Sequence, residues 1–424
     1  MAMANKPSPE TETTLVMADG QPLKKALTRA MRRARLRAFL LVIPLLAFVL
    51  VTFALPIGQM LYLSIHNPVF SDYMPRLTAY FNTHPEEGVP NEEGFAALAL
   101  DLIDAKKNRT VGRVGTRINY DRAGSSSLFK SSARKAAKFK GPSYKESLLE
   151  HRQDWADPKL WNVMRRAANA HTFDFYLAAL DFTHDANGNL IKVEPERRIY
   201  IMLFLRTFML STLIAGLCLL LAFPVSHLLA NLPLRYSNLL MILVLLPFWT
   251  SLLVRTTSWI TLLQSQGVLN DLLVVVGLIG DDGRIQLMYN QFGTIIAMTH
   301  ILLPFMILPL YSVMKTIPPS YMRAARSLGA TPFTAFVKVY FPLTIPGIGA
   351  GTLLVFILAI GYYITPALVG GSSGELISNQ IAFHMQSSLN WSLAAALGAI
   401  LLFGVILLYW LYARLIGIDN MKFG

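Results

Sequence analysis

Six long apolar runs, at about 38–62, 201–225, 238–262, 290–313, 347–369 and 391–413, constrain this chain more than any other feature in it. A bilayer core is crossed by roughly 20 consecutive, mostly apolar helical residues, and every one of these runs is long enough. With 54% hydrophobic and only 15% charged residues among 424, the chain is too apolar for an ordinary soluble enzyme. The expectation is an all-α integral membrane protein with six transmembrane helices and a long insertion between the first two.

The formal charge of +13 raises the possibility of a nucleic-acid partner, and its distribution decides against one. Residues 66–197 hold 19 Lys and Arg against 17 Asp and Glu, which leaves the insertion nearly neutral. The excess lies in two places. Eight basic residues precede the first span (Lys6, Lys24, Lys25, Arg29, Arg32, Arg33, Arg35, Arg37), and Lys315, Arg323, Arg326 and Lys338 surround the connector between the fourth and fifth. The connectors 263–289 and 370–390 carry Arg284 alone against Asp271, Asp281, Asp282 and Glu375. This is a positive-inside pattern, and it places both termini and the basic connector in the cytoplasm of a multi-pass protein. The pattern predicts a cytoplasmic tail 1–37, a first span 38–65, an extracytoplasmic insertion 66–197, a five-helix core 198–413 and a cytoplasmic tail 414–424. The basic region before a long apolar run, with no small-residue cleavage site, reads as an uncleaved signal anchor.

Residues 1–23 are polar and read as a disordered tail. Within the insertion, "EGFAALALDLIDAKKN" reads as a helix. A second helix is expected from Ser143, with Glu146 completing a capping box, through "LLEHRQDWADPKLWNVMRRAANA", and "DANGN" reads as a turn. The stretch from Gly115 to Ser143 shows no clear period and reads as mobile.

Reactive chemistry is hard to find. The sequence has no GxxxxGK[ST] phosphate loop, no HExxH, and no Asp/Glu run at metal-ligand spacing. Cys218 is the single cysteine, so no intrachain disulfide or CxxC site can form. His227 and His300 lie at or near spans, where a lone histidine more often packs than ligates. No catalytic residue and no metal site is expected on this chain.

The basic connector is the most structured-looking part of the sequence. In "YMRAARSLGATPFTAFVKVYFPLTIPGI", Ser320 is a candidate N-cap, and Tyr321, Ala324, Ala325 and Leu328 recur on one helical face before Gly329. Thr331 and Pro332 then open a second helix, whose far end Pro342 and Pro346 are expected to limit.

This segment resembles the EAA coupling loop of ATP-binding-cassette importer permeases, with Ala324, Ala325, Leu328, Gly329, Ala330, Pro342, Pro346 and Gly347 at the matching positions. "LVLLPFWTSLLVRTTSWITLLQSQGVLN" and "ILLPFMILPLYSVMKTIP" look like the spermidine/putrescine-type branch, so the resemblance covers residues 200–413. It implies the type I importer permease fold. It also implies a coupling loop at 315–346 whose face of Tyr321, Arg323, Ala324, Ala325, Leu328 and Gly329 meets a partner ATPase. The implied partners are an ABC ATPase dimer that carries the ATP and Mg, a second and different permease subunit, an extracytoplasmic solute-binding protein and membrane lipid. No cofactor is expected on this chain, and the implied location is the bacterial inner membrane. The bland reading of the loop is an interfacial helix lying on anionic lipid.

Two departures from the family pattern stand out. The usual loop glutamate is Arg323, which removes a Ser320-x-x-Glu capping box, and the acid of polyamine-type members near the middle of the fifth span corresponds to Tyr362. No Asp or Glu lies inside any of the six runs. Aromatic faces such as Trp249, Trp259, Tyr362 and Tyr363 would then receive a cationic solute, with cation–π contacts of about 0.5–2 kcal/mol each. Arg206 and Arg255 are the charges nearest membrane depth. Each reads as an interfacial anchor or as a substrate contact. The expected pathway residues are Trp249, Arg255, Tyr362 and Tyr363, and the expected cargo is a small polar solute such as a polyamine, an opine or an amino-acid-like molecule. The rival readings are a secondary transporter or channel, which would typically carry intramembrane carboxylates, and a membrane enzyme, which would need a His/Asp/Glu cluster.

Overall fold

A computed structural model describes the backbone of residues 23–139, 143–185 and 188–416. Of the expected tails 1–37 and 414–424, residues 1–22 and 417–424 lie outside the described residues. The chain divides into two units, Met1–Tyr62 and Leu63–Gly424, and each is described by itself.

In the first unit an α-helix runs over Leu23–Val49, widens into a π-turn at Leu50–Ala54 and resumes at Leu55. Residue 37 is therefore not a structural boundary. The basic stretch continues the membrane helix without interruption, because residues 23–43 contain neither glycine nor proline and are rich in Ala, Leu, Lys and Arg. The π-turn ends two residues before Pro56, and Thr52 Oγ1 inside it donates to Phe48 O at 2.7 Å. A proline ring clashes with the carbonyl four residues earlier, and a locally wider turn relieves that clash.

The insertion is mainly helical, as expected, and is built round its own core of Phe70, Leu77, Phe95, Leu102, Phe129, Trp155 and Trp161. Both tryptophans are fully buried with their indole N–H groups satisfied. Trp155 donates to Ser132 Oγ at 3.0 Å and Trp161 donates to Trp155 O at 2.8 Å. The helix expected over "EGFAALALDLIDAKKN" is Glu92–Lys107, capped by Asn91.

Three other expectations fail here. Of the stretch 115–143, residues 140–142 lie outside the described residues, and the rest is largely taken up by the helices Val111–Asn119 and Ser125–Lys135. Its apolar stripe begins with Val111 and Val114, so a reading that starts at Gly115 cuts the period in half. The long helix from Ser143 breaks into Tyr144–His151 and Pro158–Ala168, because Asp157 caps the second piece and Pro158 opens it. The Ser143 capping box does not form. Instead the Glu92 carboxylate accepts from Tyr144 N at 2.5 Å and from Lys145 N at 3.0 Å. The strands Phe182–His184 and Leu190–Lys192 pair antiparallel on either side of "DANGN", and residues 186–187 of the turn expected there lie outside the described residues.

The membrane core of the second unit centres on the helices Tyr200–Asn231, Gln291–Thr316 and Phe341–Gly361, whose buried faces share one cluster including Ile214, Cys218, Leu302, Met306, Leu310 and Val355. Lipid offers no hydrophobic drive between helices, so small residues and close approach hold such faces together. Gly347 and Gly351 are spaced as GxxxG. A Cβ at Gly347 would lie 3.0 Å from Val313 Cβ, and one at Gly351 would lie 2.7 Å from Met306 Sδ. Ser226 Oγ adds a hydrogen bond to Ile307 O at 3.2 Å.

Two of the expected spans are not single rods. The run 238–262 is a helix Leu234–Leu245 extended by a 3-10 turn to Trp249, then a second helix from Leu252, and the two arms bend by 96°. Pro247 and the capping pair Thr250 and Ser251 supply the break: Thr250 Oγ1 donates to Pro247 O at 2.8 Å, and Ser251 Oγ accepts from Val254 N at 3.2 Å. The run 347–369 starts earlier and ends sooner than expected. Its helix begins with the connector at Pro332, passes through a π-turn at Phe336–Tyr340, and stops at Gly361 before a short helix Ile364–Val369. Pro342 and Pro346 therefore do not end it. The π-turn closes two residues before Pro342, the same spacing as before Pro56, and absorbs the ring in the same way.

The insertion is anchored to the core by Asp181. This buried carboxylate accepts from Ile199 N and Tyr200 N at 3.2 Å through Oδ1, and from Ile201 N at 2.9 Å through Oδ2, so it closes the first turn of the second span. Below it, Phe175 and Ala179 of the insertion pack with Leu203, Phe204, Ile377 and Leu397. Asp181 holds a φ of 59°, which Asp and Asn tolerate better than other L residues. Asp181→Ala is expected to cost about 2 kcal/mol and to lower the apparent Tm in detergent. Asp181→Asn keeps the backbone preference and should lose less than half as much. An unchanged Tm in Asp181→Ala would show that the three amide contacts do not hold this junction, and an Asp181→Asn loss equal to that of Ala would assign the effect to the charge and the second carboxylate oxygen.

Candidate coupling surface and membrane-depth cluster

The connector forms two helices as its sequence suggests, with one change of cap. The first, Pro319–Ser327, is preceded by Pro318 and opened by Pro319, and Ser320 sits inside it rather than capping it. Arg323 is consequently in the second turn, so its replacement of a glutamate does not remove a capping box. Gly329 has φ +89°, its N–H donates to Arg326 O at 3.0 Å, and the next N–H, of Ala330, donates to Ala325 O at 3.1 Å. This pair of bonds is a Schellman closure, which favours glycine at that position because a left-handed backbone carries little steric cost without a Cβ. Thr331 then caps the second helix through Thr334 N at 3.2 Å, with Pro332 at its first position.

The reversal presents an exposed, largely apolar edge. Tyr321 is 51% exposed, Leu328 89% and Phe333 76%, with Ala324 open beside them. Arg323 and Arg326 are also exposed, and neither has an ion-pair partner among the described residues. Ala325 is the exception within the expected face, being only partly exposed.

The opposite face grips the core. Ile317, Met322 and Phe336 pack against the main cluster, Lys315 Nζ donates to Ala230 O at 3.1 Å, and the Tyr340 ring meets His227 edge-on at 5.0 Å. His227 is thus a packing residue. A displacement of the loop would reach the second span through these contacts and the fifth span directly, since the second loop helix and the fifth span are one continuous helix.

The four expected pathway residues are not gathered in one place. Arg255 follows the break in the third span within the first turn of the Leu252–Leu263 helix. It is half-buried, and its Nε and Nη1 atoms are enclosed without a hydrogen-bond partner among the described residues. His300 Nδ1 accepts from the Trp259 indole at 3.1 Å. Position alone gave no sign of this pairing, because the two residues come from different helices 41 positions apart.

Tyr362 and Tyr363 lie at the end of the fifth-span helix, where their carbonyls would otherwise lack acceptable donors. Ser378 Oγ donates to Tyr362 O at 2.6 Å, and Asn379 Nδ2 donates to Tyr363 O at 2.8 Å. Thr256 and Thr365 meet at 3.3 Å and hold the two broken segments together. Trp249 differs from Tyr362 and Tyr363 in exposure, lying 78% exposed at the end of the turn before the first break. Arg206, the other candidate charge, donates to Ser372 O at 3.0 Å and so ties a connector to the second span.

Residues 199–416 match the family described as "Binding-protein-dependent transport system inner membrane component". The chain is 36% identical over 221 residues to the spermidine/putrescine transport system permease protein PotB of Escherichia coli (strain K12), covering 51% of this chain and 80% of that protein. It is 34% identical over 224 residues to PotB of Haemophilus influenzae, covering 53% and 78%. Among solved structures, a bacterial ABC transporter involved in the import of the acidic polysaccharide alginate aligns over 53% of this chain and 80% of its own, at 21% identity and a TM-score of 0.42. All these alignments leave roughly half of the chain unmatched.

The Tyr362 ring is half-buried at a helix end and packs on the main cluster. Tyr362→Phe is expected to leave uptake in reconstituted vesicles within about twofold of normal. Tyr362→Ala should lower it about tenfold, since it both removes the aromatic face and opens a void. Equal losses in the two variants would assign the effect to the hydroxyl.

Proposed function

The chain belongs to the family of binding-protein-dependent transport system inner membrane components, and from that membership we infer that it works as one half of the membrane pathway of an ATP-driven importer. It spans the inner membrane several times and moves solute delivered by an external binding protein. The observation that carries the mechanism is the Schellman-closed loop helix, with an exposed apolar edge on one side and a rigid grip on two spans on the other. We assign that edge, Tyr321, Arg323, Ala324, Ala325, Leu328 and Gly329, to docking on an ABC ATPase dimer. Closure of the ATPase would press on the loop and turn the continuous helix from Pro332 to Gly361, whose far end carries the break at Tyr362. ATP and Mg would be held by that partner, and this chain would catalyse no reaction itself. A second, different permease subunit would complete the pathway, with Trp249, Arg255, Tyr362 and Tyr363 toward it.

The cargo in this reading is a small polar solute. The named function of the PotB relatives makes a polyamine the leading candidate, yet the spans offer a cation only aromatic faces and no carboxylate. Selection of a polyamine would therefore fall to the binding protein or the second permease. The charge asymmetry supports placing both termini and the coupling loop in the cytoplasm and the 66–197 insertion outside.

Gly329→Asp adds a side chain where φ is +89° and should leave membrane insertion intact while uncoupling ATP hydrolysis from uptake. Uptake at the normal rate would remove the docking assignment. For orientation, Cys218 is the single cysteine and is buried, so the background is silent. A Lys107→Cys variant should react with a membrane-impermeant maleimide in intact spheroplasts, and Leu328→Cys only after permeabilisation. The reverse order would invert the topology.

A further inference from the structure

A cavity of about 710 Å³ lies between the start of the Val111–Asn119 helix of the insertion and the first turn of the last membrane helix, Trp391–Ile416. Its wall contains Arg113, Arg117 and His66 but no Asp or Glu. Arg117 is only 3% exposed. Its Nη1 pairs with Asp121 at 2.6 Å, while its Nε is buried with no hydrogen-bond partner among the described residues. Arg113 is exposed at the rim, and its Nη1 donates to Tyr73 OH at 2.7 Å. No acid pairs with it among the described residues.

We propose that this cavity binds the phosphodiester headgroup of an anionic membrane phospholipid. The Arg117 guanidinium is enclosed, paired with Asp121 and stacked over the Phe175 ring at 5.1 Å, so a phosphate oxygen would be met by the exposed Arg113 at the rim, whose planar fork matches phosphate geometry. The second argument is position. Trp391 begins an apolar helix of 26 residues, and tryptophan at such an end marks headgroup level. Leu389 and Trp391 are exposed at the rim, 59% and 46%, beside Leu63 and Val69. An apolar rim next to a cationic interior suits a lipid, whose glycerol and acyl carbons follow its phosphate. A free anion would need no such rim.

The headgroup would reinforce a junction that already has two hydrogen bonds, Tyr120 OH to Ser388 O at 3.2 Å and Asn67 Nδ2 to Ser392 Oγ at 2.9 Å. It would thus bridge the insertion to the connector before the last span.

The test uses the full chain purified in mild detergent, stripped of lipid, and titrated with phosphatidylglycerol, phosphatidylcholine or inorganic phosphate under native mass spectrometry. Phosphatidylglycerol should bind about tenfold more tightly than phosphatidylcholine. Arg113→Gln should lower that affinity about tenfold. Gly112→Phe should do the same by filling the cavity, since a Cβ at Gly112 meets nothing within 4 Å and the helix can carry it. Both variants should keep the normal circular dichroism and melting curve. Wild-type binding by both folded variants, or equal affinity for the two lipids, would overturn the site. Displacement of phosphatidylglycerol by millimolar inorganic phosphate would assign the cavity to a free anion and overturn the lipid.

Discussion

A helix interrupted inside a membrane exposes carbonyls and amides that lipid cannot hydrogen-bond, and this protein's core depends on how two such interruptions are resolved. At the first, Thr250 and Ser251 satisfy the backbone locally, one as a donor to Pro247 O and the other as a cap. At the second, the donors come from elsewhere in the chain, Ser378 to Tyr362 O and Asn379 to Tyr363 O. The short helix Ile377–Gln386 is therefore a support for the broken fifth span as well as a connector. Thr256 and Thr365 join the two breaks, so the segments after each of them are held in register.

The loop is continuous with the bundle. The second loop helix does not stop at its prolines, and one helix from Pro332 to Gly361 joins the loop to the break at Tyr362. The π-turn at Phe336–Tyr340 widens the rod without severing it. Close contact through Gly347 and Gly351 packs the same rod against the Gln291–Thr316 helix.

The insertion is joined to this core through a buried cap and an apolar cluster. Asp181 caps the second span with three backbone hydrogen bonds, and an apolar cluster of Phe175, Leu203, Ile377 and Leu397 seals the junction. Tyr200, in the capped turn, also meets His384 Nε2 at 2.9 Å, and His384 Nδ1 meets Ser388 Oγ at 2.8 Å. The insertion is thus tied at the start of the second span and again at the start of the last one.

The sequence by itself determined the membrane class, the all-helical fold, the loop with its Gly329 reversal and Thr331–Pro332 start, and the helix Glu92–Lys107. Each of these rests on local periodicity, on a cap or on a backbone conformation, which neighbouring residues decide. Membership of the permease family was legible for the same reason, because the loop motif is contiguous. Only the tertiary structure decided where the third and fifth spans break, that Pro342 and Pro346 lie within a continuous helix, that Glu92 rather than Glu146 caps the helix after Ser143, and that the Trp259 indole pairs with His300. In these cases the deciding partner is far along the chain or the choice lies between two allowed helical geometries. A hydrogen bond from Ser378 or the bulk of a packed neighbour sets the outcome there, and no local pattern records it.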